Sequence, residues 1–577
     1  MKTWWKYIKP YLPYFIIGPI CMLVEVAGEA FMPKLFSLII NKSADGTLTS
    51  SYSMGIMLLM ILMALLMMAG GIGGAYFATK ASVNFAVDLR SDAYAKIQKY
   101  SFANIDKFST GSLVTRLTND VTQLQNFIGM VLRMALRAPG LLIAGLIMAI
   151  TISPSLSVVF AVTIPSMFIV VIGIILIGFR RFSVMQKKID NLNTTVQENI
   201  TNARVVKSFV RENYEDEKFR GANKSLKDSG IAAMRVMIFM QPVLTLFMNI
   251  TTLAVVWKGS NIVLDGGMQV GDLSAFITYV NQILMALLGV TMLLMMSSRA
   301  IASGRRIKEV LDEKPGISDA DAKEKEMTVK HGEVEFRNVS FRYYKNSQGK
   351  VLDNVSFKIE AGKTLGIIGS TGSGKTTLVS MIPRLYDTDE GEVLVDGVNV
   401  RDYSIYNLRE GVGMVLQKNM LFSGTVADNL RWGDSDASDT EVREASKHAQ
   451  ADGFVSSFKD GYDTVIDKGG ANVSGGQRQR LCIARALLKK PRIIILDDST
   501  SAVDTATEAQ IREALTNDLS DCTKIIIAQR ISSVRDADEI IVMDDGKISG
   551  AGTHDELLKN NEAYREIYLS QTEKGGN

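Results

Sequence analysis

With 577 residues the chain exceeds the roughly 100–200 that one compact core usually occupies, so a single small domain is excluded. Its 64 Lys and Arg against 61 Asp and Glu leave a formal charge of +3, which argues against a bulk nucleic-acid binder. The three cysteines, Cys21, Cys482 and Cys522, have no metal-ligand spacing, and neither a zinc site nor a disulfide is expected.

The average conceals two halves. Apolar stretches fill the first 300 or so residues, whereas the remainder has the mixed charge and frequent glycine of an α/β domain. Lys2, Lys6 and Lys9 followed by an apolar run imitate a signal peptide, but no small-residue cleavage site follows, so a retained first span is expected. A helix needs about 20 apolar residues to cross a bilayer. Residues 54–77, 236–257 and 273–298 carry no charge, and 138–179 stay uncharged until broken at Ser153-Pro154-Ser155, a turn between two helices. With a first span near 15–40, this predicts six transmembrane helices.

The connections between helices two and three and between four and five are long and rich in Lys and Arg, which places them and both chain ends in the cytoplasm. Glu25 and Glu29, one helical turn apart in the first span, share a face. They are candidates for a cation-attracting patch in a substrate cavity, or for a structural pairing, for instance with Lys34. Arg133 and Arg137 are expected to snorkel to headgroups. Met63, Met67, Met68, Met292, Met295 and Met296 offer either an adaptable binding surface or ordinary packing. A charged stretch, 315–330, reads as the linker between a membrane domain (1–314) and a nucleotide-binding domain (331–577).

In that second domain a buried-strand pattern runs into Gly369, Ser370, Thr371, Gly372, Ser373, Gly374, Lys375, Thr376 and Thr377 and then a helix. Strand, glycine-rich loop and helix in this order form a phosphate-binding loop. Backbone N–H groups turn inward, the helix N-terminus favours anions, Lys375 reaches the β- and γ-phosphates of ATP, and Thr376 holds Mg²⁺. Beyond Pro491, the run of three isoleucines and Leu496 ending in Asp497 reads as a strand buried on both faces, with an acid placed to bind Mg²⁺ through water. Between these elements Ser474, Gly475, Gly476 and Gln477 open a helix that Ser474 caps.

That segment resembles the signature motif of ATP-binding cassette proteins, and the resemblance extends over the membrane half, to ABC exporters whose chains fuse both domains. It implies a fold of six transmembrane helices followed by an α/β P-loop ATPase cassette. Tyr343 matches the aromatic that stacks on adenine, Gln417 the glutamine that senses Mg²⁺ and faces the coupling helices, and Asp504 the loop crossing between two cassettes. The stretches 102–120 and 198–209 resemble the intracellular loops that carry coupling helices. In the family the signature contacts ATP held by the opposite subunit, so one chain does not make a complete site.

Two positions depart from the family's pattern. Glu normally follows the Walker B aspartate and orients the attacking water, but here that position is Asp498. A His normally contacts the γ-phosphate from a later strand, but here it is Gln529. Asp is one methylene short, and about 1 Å of misplacement can cost on the order of 100-fold in rate. Gln hydrogen-bonds a phosphate without carrying charge or relaying a proton. The expectation is one subunit of a bacterial heterodimeric multidrug exporter in the cytoplasmic membrane. Its own ATP site would be hydrolytically impaired and its signature would complete the partner's. Alternatives are an importer of the same fold that takes up siderophore-like compounds, a lipid or peptide exporter, or a soluble ABC ATPase.

Overall fold

The computed structural model describes residues 2–344, 349–498 and 505–572. The chain forms two compact units, Met1–Gln98 with Gly111–Asp312, and Lys99–Thr110 with Glu313–Asn577.

Among the described residues, the first unit contains six helices long and apolar enough to cross a membrane. The first and second, Leu12–Ala44 and Ser50–Gln98, come together through the glycines of the second. A Cβ on Gly70 would lie 2.8 Å from the Cys21 carbonyl oxygen, and one on Gly74 would lie 2.2 Å from Met22 Cε. Without side chains there, the backbones approach closely and gain dispersion contacts that lipid does not offer. Met63 and Met67 fold over Gly28 in the same interface while Met68 points outward, so these three methionines serve packing and the outer surface. The side chains of Met292 and Met295 lie outside the described residues.

The uncharged run 138–179 divides into Arg137–Ile152 and Pro154–Thr201. Ser153 Oγ accepts from the Leu156 amide at 3.4 Å, and Pro154 occupies the first turn, where its missing N–H costs nothing. The fifth and sixth helices are Glu212–Leu264 and Val270–Asp312.

Two of the ionic expectations change. Lys34 donates to Asp272 at 2.7 Å, joining the first helix to the sixth, and so does not neutralise the glutamates. Arg137 does not snorkel: its Nη2 lies 3.1 Å from Glu25 Oε1 and 3.2 Å from Glu29 Oε2. A charge in an apolar span is costly alone, and two carboxylates one turn apart on the first helix supply the counter-charge more cheaply than extension to the headgroups.

The second unit begins with the short helix Phe102–Phe108, which lies between the second and third spans in sequence yet groups with the cassette. Asn104 accounts for this, its Nδ2 donating to Glu313 Oε1 (2.9 Å) and to the Lys314 carbonyl (3.1 Å). Tyr386 adds a hydrogen bond to Asp106 at 3.2 Å and a ring contact to Phe102. The cassette strands are β1 (Val334–Phe341), β2 (Leu352–Ile359), β3 (Thr364–Gly369), β4 (Glu390–Val395), β5 (Val398–Asn399), β6 (Val412–Val415), β7 (Gly424–Thr425), β8 (Val465–Ile466), β9 (Ile493–Asp497), β10 (Thr523–Ile527), β11 (Glu539–Asp544) and β12 (Lys547–Gly552). One sheet runs β2-β1-β4-β5 and is antiparallel. The other runs β12-β11-β3-β10-β9-β6, with β12 alone antiparallel at its edge. Strands β9 and β10 are buried at every position, as their unbroken apolar runs require of a parallel sheet covered on both faces.

Candidate functional site

Strands β3, β10, β9 and β6 are parallel neighbours, so the segments that leave their C-terminal ends emerge side by side. The phosphate loop follows β3, Gln529 lies just past β10, Asp498 follows β9 and Gln417 lies just past β6. These residues, with Tyr343, Thr371, Gly372, Gly374, Lys375, Thr376, Thr377 and Asp497, line one cavity of about 300 Å³. The strand order of the sheet brings these segments together although they are far apart in sequence.

Within the loop Gly369 has φ +154° and Gly374 has φ +96°. A Cβ on Gly369 would fall 2.1 Å from the Met543 carbonyl oxygen, and one on Gly374 2.8 Å from that of Val351, so both conformation and space require glycine. Gly374 precedes the helix Lys375–Ser380, whose first amides point into the loop. Lys375 Nζ donates to the carbonyls of Gly369 (2.8 Å) and Ser370 (2.7 Å), and burial pulls its pKa down. Tyr343 and Thr377 share a hydroxyl hydrogen bond of 2.8 Å, which fixes the aromatic ring at the cavity's edge.

Asp497 is 1% exposed and its Oδ2 has no hydrogen-bond partner among the described residues. Burial raises its pKa, against a hydrogen bond from Thr376. A buried carboxylate oxygen left over beside the Thr376 hydroxyl and the Lys375 ammonium fits a hard divalent cation carried by phosphates. Asp497, Thr376 and Gln417 are the residues that would hold it, and when bound the ion neutralises phosphate charge.

Asp498 has φ +48°, and its amide donates to the Ile527 carbonyl at 3.0 Å. Gln529 Nε2 donates to Asp498 Oδ2 at 2.7 Å. Burial raises the Asp498 pKa, and the hydrogen bonds from Gln529 and Gln417 oppose that rise. Sequence reasoning missed Gln571, in the helix Glu562–Thr572. Its Nε2 donates to the Gln529 carbonyl (2.8 Å) and its Oε1 accepts from the Ile531 amide (2.9 Å), clamping the segment that carries Gln529. Nothing in the spacing of a C-terminal glutamine announces that role.

Ser474, Gly475, Gly476 and Gln477 do not line this cavity. They start the helix Gly475–Leu488, where Gln477 N donates to Ser474 Oγ (3.2 Å) and Ser474 N to Gln477 Oε1 (2.9 Å), a reciprocal cap. Ser474 and Gly475 are exposed. Asp504 lies outside the described residues. Glu25 and Glu29 belong to the membrane unit, where Arg137 joins them.

The family model described as ABC transporter transmembrane region matches residues 15–287, and that described as ABC transporter matches 352–501. The chain is 39% identical to the uncharacterized ABC transporter ATP-binding protein YfiB of Bacillus subtilis, covering 99% of this chain and 98% of the relative. It is 37% identical to the similarly described Rv1273c of Mycobacterium tuberculosis, over 98% and 97% of the two chains. Among solved structures, a bacterial Atm1-family ABC exporter with ATP bound superposes with a TM-score of 0.79 at 24% identity, over 97% of this chain and 98% of that one. The protein belongs to the ABC transporter family, with its transmembrane region and ATP-binding cassette fused in one chain.

Proposed function

We propose that this chain is the ATP-holding, hydrolytically impaired subunit of a heterodimeric exporter that moves hydrophobic or amphipathic compounds outward across a bacterial cytoplasmic membrane. The observation that carries the reading is the Asp498–Gln529 hydrogen bond. A carboxylate that must orient water is shortened by one methylene and engaged by an amide, and the amide has no proton to relay near neutral pH. Phosphate-binding groups remain: Lys375, the loop amides and the Asp497–Thr376 pair. The cassette therefore keeps what binding requires and lacks what turnover requires.

The exposed, capped signature helix supports the second half of the proposal. The cap engages the amides of Ser474 and Gln477, and those of Gly475 and Gly476, at the positive end of a 14-residue helix, suit the γ-phosphate of ATP on another subunit. The partner is a half-transporter carrying Glu and His at the positions of Asp498 and Gln529. In that assembly Tyr343, Gly369 to Thr377 and Gln417 hold the nucleotide that stays, while this chain's signature completes the site that turns over. Photolabelling with 8-azido-ATP followed by separation of the two subunits tests this. Label retained on this chain through a turnover cycle supports the reading, and equal loss from both chains contradicts it.

A further inference from the structure

The helix Glu562–Thr572 is seated firmly near its start. Tyr564 is fully buried, its hydroxyl lies 2.7 Å from His554 Nδ1, and its amide donates to Asn561 Oδ1 at 2.8 Å. Asn561 Nδ2 in turn donates to the Ser549 carbonyl of β12 at 3.1 Å. About two turns beyond Tyr564 stands Gln571, whose side-chain amide bridges two backbone groups on either side of Arg530. Its Nε2 donates to the Gln529 carbonyl (2.8 Å) and its Oε1 accepts from the Ile531 amide (2.9 Å). Turned over, the amide would set donor against donor and acceptor against acceptor, so the two bonds fix its orientation.

The segment held in this way carries a group that faces the nucleotide cavity. Gln529 lines that cavity with Lys375, Thr376 and Asp498, whereas Gln571 does not. One N–H of Gln529 Nε2 goes to Asp498 Oδ2, and an amide nitrogen has a second to give. A side chain this long meets a phosphate dependably only when its backbone is fixed, since each freed torsion spreads the amide over other positions. We propose that Gln571 is a positioning residue that makes this site prefer ATP to ADP: it holds the backbone at 529–531 so that the second N–H of the Gln529 amide meets the γ-phosphate. The inference rests on the reading above, in which the site retains ATP and Gln529 stands where a His would contact the γ-phosphate. ADP offers no such contact, so loss of the clamp acts on one nucleotide and spares the other. A purely structural role for Gln571 would weaken both alike.

The test uses the full chain in lipid nanodiscs with Mg²⁺ and equilibrium binding of two tritiated probes, ADP and AMP-PNP, an ATP analogue that is not hydrolysed. The wild-type chain should bind AMP-PNP more tightly than ADP. Gln571→Met, similar in length and lacking both bonding groups, should lower that preference about ten-fold, the scale of one hydrogen bond to a charged group, and should change ADP affinity by less than about two-fold. Gln529→Met should lower the preference as much, and the double variant no further, because both changes remove the same contact. No preference in the wild-type chain, a preference that survives Gln571→Met, equal weakening of both nucleotides, loss of all binding, or additive losses in the double variant would each overturn the inference. Phosphate release from ATP by the wild-type chain in the same nanodiscs separates this from the reading of an impaired site. Rapid release with a preference that depends on Gln571 removes that reading and leaves the positioning role, whereas slow release with a preference indifferent to Gln571→Met does the reverse.

Discussion

Gln529 donates from Nε2 to Oδ2 of Asp498 across 2.7 Å, joining the two positions on which the proposed loss of turnover rests. The residues follow adjacent parallel strands, so they meet because β10 lies beside β9. Their mutual bond occupies one oxygen of the carboxylate that directly follows Asp497.

If that pair disables the site, restoring both groups should act more than additively. Asp498→Glu with Gln529→His is expected to raise ATP turnover of the purified chain by at least about ten-fold, with each single change giving much less. Steady-state phosphate release measures it. A double variant no faster than the singles would place the defect elsewhere.

Asp497 yields a pH-dependent prediction. Its folded-state pKa is raised by burial, so the fold favours the neutral form. That contribution is complete at low pH and is lost as pH rises through the raised value, which leaves the ionised carboxylate destabilising near neutrality. Asp497→Asn should therefore stabilise the nucleotide-free chain at pH 7.5 by about 1 kcal/mol, the scale of one poorly satisfied buried group. The gain should shrink as pH falls toward the ordinary carboxylate value of 3.8. Apparent melting temperatures across that range report it, and a gain that grows toward acid would be inconsistent with this assignment.

Ser474 caps the helix Gly475–Leu488. Ser474→Ala should cost about 1 kcal/mol of cassette stability through the lost cap. If the signature completes a partner's nucleotide site as proposed, the larger effect should fall on turnover in the assembled pair. ATP affinity of this chain alone, read by equilibrium binding, should change by less than about two-fold. A large loss of that affinity would return the signature to this chain's own site.

Arg137 balances Glu25 and Glu29 within an apolar span. Removing it in Arg137→Leu leaves two carboxylates uncompensated, and a loss of about 2 kcal/mol is expected, below the figure for a fully buried pair because the guanidinium is 35% exposed. Adding Glu29→Gln should recover part of the folded yield, measured by size-exclusion chromatography in detergent.

The six spans were legible because an uncharged run of sufficient length has one favourable solvent, and the runs at 54–77 and 138–179 leave no other. The strand β9 and the helix from Lys375 were legible for a similar local reason: an all-apolar strand ending in Asp497, and a glycine loop that must turn before a helix. What escaped depends on helix rotation and on distance along the chain. Whether Lys34 faces Glu29 or Asp272, 238 residues away, is set by how two helices are turned against one another. Arg137 was misread for the same reason, since its partners lie 108 and 112 residues upstream. The glycines at 70 and 74 could have signalled a close helix crossing, but they do not say which helix they meet. Gln571 reaches Gln529 only because the C-terminal helix returns beside β10, which no local pattern encodes.

The central claim is that this cassette holds ATP and that hydrolysis belongs to another chain. Steady-state ATP turnover of the purified full-length protein in nanodiscs, alone and mixed with a half-transporter carrying Glu and His at the positions of Asp498 and Gln529, tests it most directly. The account predicts turnover near background for the single chain despite saturable ATP binding, and at least about a hundred-fold increase in the mixture. Robust hydrolysis by the chain alone would contradict it.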